Sequence, residues 1–335
     1  ENLGALIEGP STNLALYSEQ FDNAEWEKLN STVVANASTS PDLSTTADQL
    51  KEDSSNGLHT TKFSMTSASV SSNYTFSCYA KAGSRSELLL TMGGSSLTGT
   101  GGSGNDLTAI VDLNTGAVLT SNYNIKTLAL SNGWFRVSVN VTTDDTGGSL
   151  NSIIGLSNSG SSSYQGDSTG FAYIWGAQIE ELPFATSYIK TEGAAVSRSA
   201  DDLSLSAAGN FTSAEGSTFV NFNISDGLTD IKNLFTIDDG SFNNFFANKI
   251  SDNANVFTIP RTAIKTNSVL VASYNGSTSL SVNTKHKSVI TYELGGVKSF
   301  IDGDQYGSDT SVSVFNAMTY INIGSDRSNT RLNDH

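Results

Sequence analysis

Two aromatic side chains stand beside two cations on predicted strands in the first half of the chain. Alternate residues of a strand face opposite sides, so Tyr79 and Trp134 fall opposite the apolar rows of "NYTFSCYAKAG" and "GWFRVSVNVTT". Lys81 and Arg136 fall on the same faces of these two strands as Tyr79 and Trp134. Glycan sites set flat aromatic faces, ringed by polar groups, against the C–H side of a pyranose. The pattern therefore predicts a carbohydrate-binding surface at Tyr79, Trp134 and Arg136. The alternative is that both rings pack under a loop or a neighbouring subunit.

Two loops carry further candidates for sugar binding. Tyr164 lies in the Gly/Ser-rich segment "NSGSSSYQGDSTG", where a ring could face a ligand or cover the core. In the second half, "DDGSFNNFFANK" offers Phe242, Asn243 and Asn244, although at least one phenylalanine there is expected in the core. We therefore take Tyr164 as the second carbohydrate-binding candidate.

The chain offers little for catalysis. Glycosidases need two carboxylates at a controlled separation, one with a raised pKa. The acidic pairs in "EELP", "SADD" and "TIDDG" lie near strand ends or between domains, as is typical of solvated turns. The histidines are His59, His286 and His335, and none has the spacing of a catalytic triad or a metal site. We expect no enzymatic activity.

The segment "DGDQYGSD" begins like an EF-hand calcium loop. It places Asp302, Asp304 and Asp309 close together, but the terminal Glu and the flanking helices of that motif are missing. The pattern favours a hairpin tip between two strands.

Composition excludes several classes of protein. A net charge of −15 argues against nucleic acid or an anionic membrane as the main partner. The single cysteine, Cys78, excludes an intrachain disulfide framework and is predicted to be a buried apolar residue. No apolar run approaches the ~20 residues of a membrane helix. The abrupt ends predict that the chain is part of a longer polypeptide.

The elements that must position these residues are short strands separated by Gly, Ser and Asn clusters. "AIVDLNTGAVL" predicts two strands around an "LNTG" turn, whereas "TTADQLKED" is expected to form a short turn or a loop. Trp26 and Trp175 are expected in the core. Helical periodicity is almost absent, so we predict an all-β protein of two tandem antiparallel sandwiches.

The strand pattern breaks after Glu180 and resumes near Ser217, which predicts a domain boundary. We expect one sandwich at residues 1–192, a linker at 193–212 and a second sandwich at 213–335.

Several motifs occur in an order that resembles a known family. They are "NLALYSEQFDNAEWEK", "YTFSCYAKAGSRS", "VDLNTGAV", "NGWFRVSVNVT", "YQGDSTGFAYIWGAQIEE" and "FATSYIKTEGAAVSRSADD". Together they resemble the carbohydrate-binding-module-like jelly roll of tail-fibre and head-fibre proteins of tailed bacteriophages, over residues 6–202. The second half, with "STFVNFNIS" and "VKSFIDGDQYGSDTS", looks like the laminin-G/concanavalin-like sandwich that follows in such proteins. The resemblance thus implies a jelly roll at residues 1–192 and a concanavalin/laminin-G-like sandwich at 213–335, which is expected to be truncated at its C-terminus because that family has a further strand.

This resemblance implies a non-enzymatic component of the virion surface that binds host-surface glycans. It implies other virion proteins as partners, a homotrimer, and an extracellular location after release. Jelly-roll carbohydrate modules often carry a structural calcium, which the resemblance would place at Glu19 or Glu180, although the usual aspartate is missing; no cofactor is required. The alternatives are a purely structural virion protein, or the accessory region of a polysaccharide depolymerase.

Overall fold

The computed structural model describes residues 6–100, 108–122, 124–224, 232–241, 243–253, 256–277, 279–282, 284–312 and 318–324. Within these residues the regular structure consists of antiparallel strands and two short 3-10 helices, Ser95–Thr100 and Ser131–Gly133, without an α-helix. The predicted all-β class is therefore confirmed. None of the described helices is long and apolar enough to cross a membrane. The chain divides into two compact units, which are residues 11–198 and the remainder.

The first unit contains fifteen described strands in three sheets. In chain order they are β1 (Ser11–Asn13), β2 (Glu27–Leu29), β3 (Ser31–Ser38), β4 (Ala47–Glu52), β5 (Asn56–Ala68), β6 (Asn73–Ala82), β7 (Glu87–Gly93), β8 (Ala109–Asp112), β9 (Val118–Ser121), β10 (Asn124–Ala129), β11 (Trp134–Thr142), β12 (Gly148–Ser157), β13 (Ser163–Gln165), β14 (Phe171–Glu180) and β15 (Val196–Arg198). A six-stranded sheet has the order β10-β11-β6-β14-β4-β3. A second sheet has the order β13-β5-β12-β7-β8-β9, with β2 also paired to β5, and β1 pairs with β15.

The two large sheets share one hydrophobic core, so the first unit is a β-sandwich. The inward-facing row of β6 includes Phe76 and Cys78, and that of β11 includes Val137 and Val139; all four are fully buried. Trp26 is also fully buried in this core. The inward rows that strand alternation predicts and the expected burial of Trp26 are both confirmed. Burial raises the pKa of the Cys78 thiol to about 12.

Strand β4 corrects the expectation that "TTADQLKED" forms a turn or a loop. Leu50 faces the core, but its inward neighbours are Asp48 and Glu52, so the strand lacks an apolar row. The Asp48 carboxylate accepts hydrogen bonds from the backbone N–H groups of Phe21 and Asn36. Burial outweighs these bonds and raises the pKa of Asp48 to about 6. Pairing with β3 and β14 fixes a strand that its own sequence does not predict.

Other local predictions agree with the structure. Strands β8 and β9 pair across the "LNTG" turn, where Gly116 has a φ of +76°. The segment "DGDQYGSD", for which a hairpin tip is predicted above, forms the turn and the second strand of a hairpin in the second unit. Residues 193–212, treated above as a linker, contain β15 and also Leu203–Ser206, a strand of the second unit.

The second unit has ten described strands in two sheets. They are β16 (Leu203–Ser206), β17 (Glu215–Asn223), β18 (Lys232–Asp238), β19 (Phe245–Asn253), β20 (Val256–Thr266), β21 (Val269–Asn275), β22 (Lys285–Glu293), β23 (Gly296–Ile301), β24 (Asp304–Asp309) and β25 (Tyr320–Ile323). The sheet orders are β16-β25-β18-β19-β20-β21 and β17-β22-β23-β24. Buried residues of both sheets pack together, among them Phe246 and Ile290, so this unit is also a β-sandwich.

Candidate functional site

The outer face of the six-stranded sheet, which points away from the core, gathers aromatic and basic side chains. Register pairs Trp134 of β11 with Lys81 of β6, and Lys81 with Tyr173 of β14. Tyr173 in turn pairs with Gln49 of β4. Since directly opposed residues lie about 5 Å apart, these four side chains form one row across four strands.

The next row along the same face contains Arg136, Tyr79 and Trp175 on β11, β6 and β14. The rings of Tyr79 and Trp175 meet edge to face with centroids 5.2 Å apart. The Arg136 guanidinium carbon lies 5.2 Å from the Tyr79 centroid, a cation–π arrangement. A register shift follows Trp175, at Gly176 with a φ of +61°; a Cβ there would lie 2.9 Å from the Tyr79 ring. Sequence parity correctly placed Tyr79, Trp134 and Arg136 together.

Parity did not predict how deeply these rings are buried. Tyr79 is 8% exposed and Trp134 is 2% exposed. The Trp134 Nε1–H donates to the Thr39 carbonyl at 3.2 Å, and the Trp175 Nε1–H donates to Thr46 Oγ1 at 2.9 Å. The loop between β3 and β4 therefore lies against both indoles. Trp175 is 3% exposed, as expected of a buried tryptophan, but the rings of Tyr79 and Trp134 are closed to a ligand in this conformation.

A segment after β14, residues 182–191, covers the lower part of the outer face. The Gln178 side chain donates to the carbonyls of Thr186 and Ser187, each at 3.3 Å. It also accepts from the Ile189 backbone N–H at 2.7 Å. Arg136 Nη1 donates to the same Thr186 carbonyl at 2.6 Å. We call Tyr79, Trp134, Arg136, Trp175 and Gln178 the covered patch.

The positive charge of Arg136 meets neutral oxygens. Its Nη2 donates to Ser77 Oγ at 3.0 Å, and its Nη1 to the Thr186 carbonyl. Its buried Nε–H has no hydrogen-bond partner. Within the described ranges no carboxylate forms an ion pair with it, so the guanidinium charge is not locally compensated.

Above the covered patch the face opens. We call Gln49, Lys51, Lys81, Phe171 and Tyr173 the open patch, because all five side chains are partly exposed and lie on the outer parity of β4, β6 and β14. In the part of the chain that is described, no hydrogen bond or ion pair engages the Tyr173 hydroxyl, the Lys81 ammonium or the Gln49 amide.

Two rings form the aromatic part of the open patch. Phe171 and Tyr173 meet at 5.4 Å with an interplanar angle of 71°. Phe171 crosses directly over Gly83, where a Cβ would lie 2.4 Å from the ring. Sequence reasoning missed both aromatics, although the alternation of "GFAYIWGAQIE" puts Phe171, Tyr173 and Trp175 on one face.

The remaining sugar-binding candidate, Tyr164, lies at the other sheet, on β13. Its hydroxyl donates to Glu52 Oε2 at 2.7 Å, and Arg85 binds Glu52 through Nε at 2.9 Å and Nη2 at 2.6 Å. The ring contacts His59, with centroids 4.7 Å apart, and the Arg85 guanidinium, at 5.4 Å. Burial raises the pKa of Glu52, but the bonds from Arg85 and Tyr164 outweigh it and leave that pKa lowered. Tyr164 is thus tied into an internal ion-pair cluster.

Phe242, named above with Asn243 and Asn244, lies outside the described residues. The side-chain oxygens of Asn243 and Asn244 accept hydrogen bonds from Ser268 and Asn267, so both asparagines hold a turn.

Glu19 and Glu180, the residues considered for calcium, are occupied by donors from the protein. Glu180 accepts from Ser11 Oγ at 2.6 Å and from both the backbone N–H and the hydroxyl of Thr186. Glu19 pairs with Lys190 Nζ at 2.9 Å and accepts from the Tyr188 hydroxyl. Calcium requires six to eight oxygen ligands. Within the described ranges no group of three or more His, Cys, Asp or Glu could hold a metal ion, and the oxygens of Glu19 and Glu180 are engaged by donors of the protein itself.

The two described histidines make structural contacts. His59 is fully buried, and its ring nitrogens face the carbonyls of Asn30 and Tyr164. His286 Nδ1 lies 2.7 Å from the Asp302 carboxylate, and its Nε2 lies 2.8 Å from the Ser281 carbonyl. Burial lowers the pKa of His286, but these two acceptors outweigh it and raise that pKa above its usual value.

Comparisons with known proteins give little beyond the fold. No protein-family model matches the chain, and no curated protein matches it. Among solved structures, the chain is similar to the LG1-3 region of the laminin alpha2 chain, with 11% sequence identity and a TM-score of 0.31. The match covers 82% of this chain and 61% of the laminin chain. The all-β assignment rests on the strands described above.

Proposed function

We propose that the protein is a non-enzymatic glycan-binding component of a phage virion surface, in a fibre or as a capsid decoration, and that its sugar site is the open patch. The observation that carries the proposal is the row Lys81, Tyr173 and Gln49, where a partly exposed ring stands between an ammonium and an amide that have no hydrogen-bond or ion-pair partner among the described residues. Such a row matches what a pyranose needs, namely a surface for its C–H face and polar groups for its hydroxyls.

The virion assignment is supported by the motif series over residues 6–202 and its resemblance to phage fibre proteins. A shallow, partly exposed patch predicts weak affinity for one sugar unit. Several copies on one particle would raise the overall avidity by linking many weak contacts. Host-surface glycans, other virion proteins and a trimeric assembly belong to this proposal.

A second candidate function is a structural virion protein without sugar binding. The burial of Tyr79 and Trp134 favours it, because the rings that sequence parity singled out serve the packing of their own unit.

A glycan array probed with the whole chain, together with binding to bacterial host cells, separates the two. We expect saturable binding that Tyr173→Ala weakens by about tenfold, which is about 1.4 kcal/mol. The matched control is Phe219→Ala, since Phe219 is an aromatic residue of the second unit that is 64% exposed. It should bind as the unaltered chain does.

The same samples test the absence of catalysis. The bound polysaccharides should keep their length and release no reducing ends during incubation. Absence of binding by a folded chain, or equal loss in Tyr173→Ala and Phe219→Ala, would contradict the proposed site and favour the structural function.

A further inference from the structure

The outer face of the six-stranded sheet differs in charge from the protein as a whole. The chain carries a net charge of −15, with 33 acidic and 18 basic residues. At the outward-facing positions of β3, β4, β6, β10, β11 and β14 the cations are Lys51, Lys81, Lys126 and Arg136. The acidic residue at those positions is Glu180. The strand positions of this face are therefore locally basic on an acidic molecule, while Glu19, Glu192 and Asp42 lie around Lys190 in segments outside these strands.

Glu180, the acidic residue at these positions, does not offset the exposed positive charge of the face. Glu180 is fully buried, and its oxygens accept bonds from Ser11 and Thr186. The carboxylates of β4, at Asp48 and Glu52, lie on the inward side of the strand, as Leu50 does. Beside the covered patch, Glu19 is paired with Lys190. The exposed charge of the open patch is thus carried by Lys51 and Lys81.

From this we infer that the open patch selects polysaccharides bearing anionic groups, which rests on the proposed function and names its ligand class. An ammonium is a compact charge that attracts carboxylate or sulfate, and Lys81 holds it directly beside the partly exposed Tyr173 ring. The ring contacts the C–H face of one sugar while Lys81 contacts its acidic substituent. Arg136, in the neighbouring row, adds a positive field, because its guanidinium meets neutral oxygens and the Tyr79 ring but no carboxylate among the described residues. A neutral glycan would use the ring but leave both cations unpaired.

Matched polymers that differ in charge test the inference. The whole chain is titrated with polygalacturonate and its methyl ester, and with dextran sulfate and dextran, at low and high salt. We expect at least one anionic polymer to bind about tenfold more tightly than its neutral partner. Salt should remove that preference. The polymer pair that shows it identifies carboxylate or sulfate as the recognised group.

Variants locate the effect. Lys81→Gln should abolish the preference while keeping the weaker binding of neutral polymer, and Tyr173→Ala should weaken both. Lys298→Gln removes an exposed lysine of the second unit and should change nothing. Equal affinity for charged and neutral polymers, or a preference that survives Lys81→Gln, would overturn the inference and leave the proposed function standing. Absence of binding to these polymers and to every glycan of the array would overturn both.

Discussion

The covered patch and the open patch lie on the same face of the six-stranded sheet, and Tyr173 of the open patch packs against the rings of the covered patch, yet the two patches differ in exposure. Tyr79 and Trp175 pack under residues 182–191 and the loop between β3 and β4, whereas Tyr173 stays partly exposed one row away. Both patches combine aromatic rings with a cation. The difference shows that strand parity assigns a residue to a face, while segments distant in sequence decide whether that part of the face meets solvent.

The largest expected effect is on the covered patch. Trp175→Ala removes a ring that contacts Tyr79 and Tyr188, with centroids 5.2 Å and 4.5 Å away. We expect the free energy of unfolding of the first unit to fall by about 3–5 kcal/mol, because the cavity cannot close. Chemical denaturation followed by circular dichroism measures the change. A loss below about 1 kcal/mol would show that this patch is not a packed region.

Gly176→Ala tests the register shift beneath the same rings. Alanine at a φ of +61° costs about 1–2 kcal/mol, and its Cβ would press against Tyr79. We expect a loss of about 2 kcal/mol in the same denaturation assay. Gly209→Ala is the control, since Gly209 also has a positive φ of +80° but nothing lies within 4 Å of a Cβ there. Equal losses in the two variants would mean that Tyr79 does not press on this position.

Outside both patches, His286 of the second unit should make a contribution to the free energy of unfolding that depends on pH. His286 has a raised pKa, so its contribution to stability is complete below the unfolded value of about 6.5 and is lost as pH rises through the folded value. His286→Gln should cost about 1.5 kcal/mol near pH 5.5, and less as pH rises towards about 9. Denaturation of both proteins across this range measures the difference. A cost that grows with pH would contradict the assigned contacts to Asp302 and Ser281.

The smallest effect on stability is expected in the open patch. Tyr173→Ala removes a partly exposed ring that packs against the edge of the covered patch and whose hydroxyl has no partner among the described residues, so the free energy of unfolding should fall by only about 1 kcal/mol. Thermal unfolding monitored beside Trp175→Ala checks this. A loss as large as that of Trp175→Ala would place Tyr173 in the packing of the sheet and remove the distinction between the patches.

Strand alternation predicted much of the fold. It identified the inward rows with Phe76 and Val137 because apolar residues there recur with period two. It failed for β4, whose inward residues Asp48 and Glu52 are satisfied by Phe21, Asn36 and Arg85, partners that local sequence cannot show.

The candidate site was predicted only in part, because contacts between residues distant in sequence decide which side chains are covered. Parity gave the face of Tyr79 and Trp134, but their covering comes from bonds to Thr39 and from residues 182–191. Tyr173 has the same parity signal in "GFAYIWGAQIE", although sequence reasoning did not select it as a candidate. Exposure is a property of tertiary structure, so it could not be inferred from spacing.

The most direct test of the open patch as the binding site is lysine footprinting. The chain is acetylated with and without a saturating glycan from the array, and the rate at each lysine is measured by mass spectrometry. We predict that Lys81 and Lys51 become protected, while Lys298 of the second unit reacts at an unchanged rate. Unchanged rates at Lys81 and Lys51 while glycan is bound would contradict the assignment and place the sugar elsewhere on the molecule.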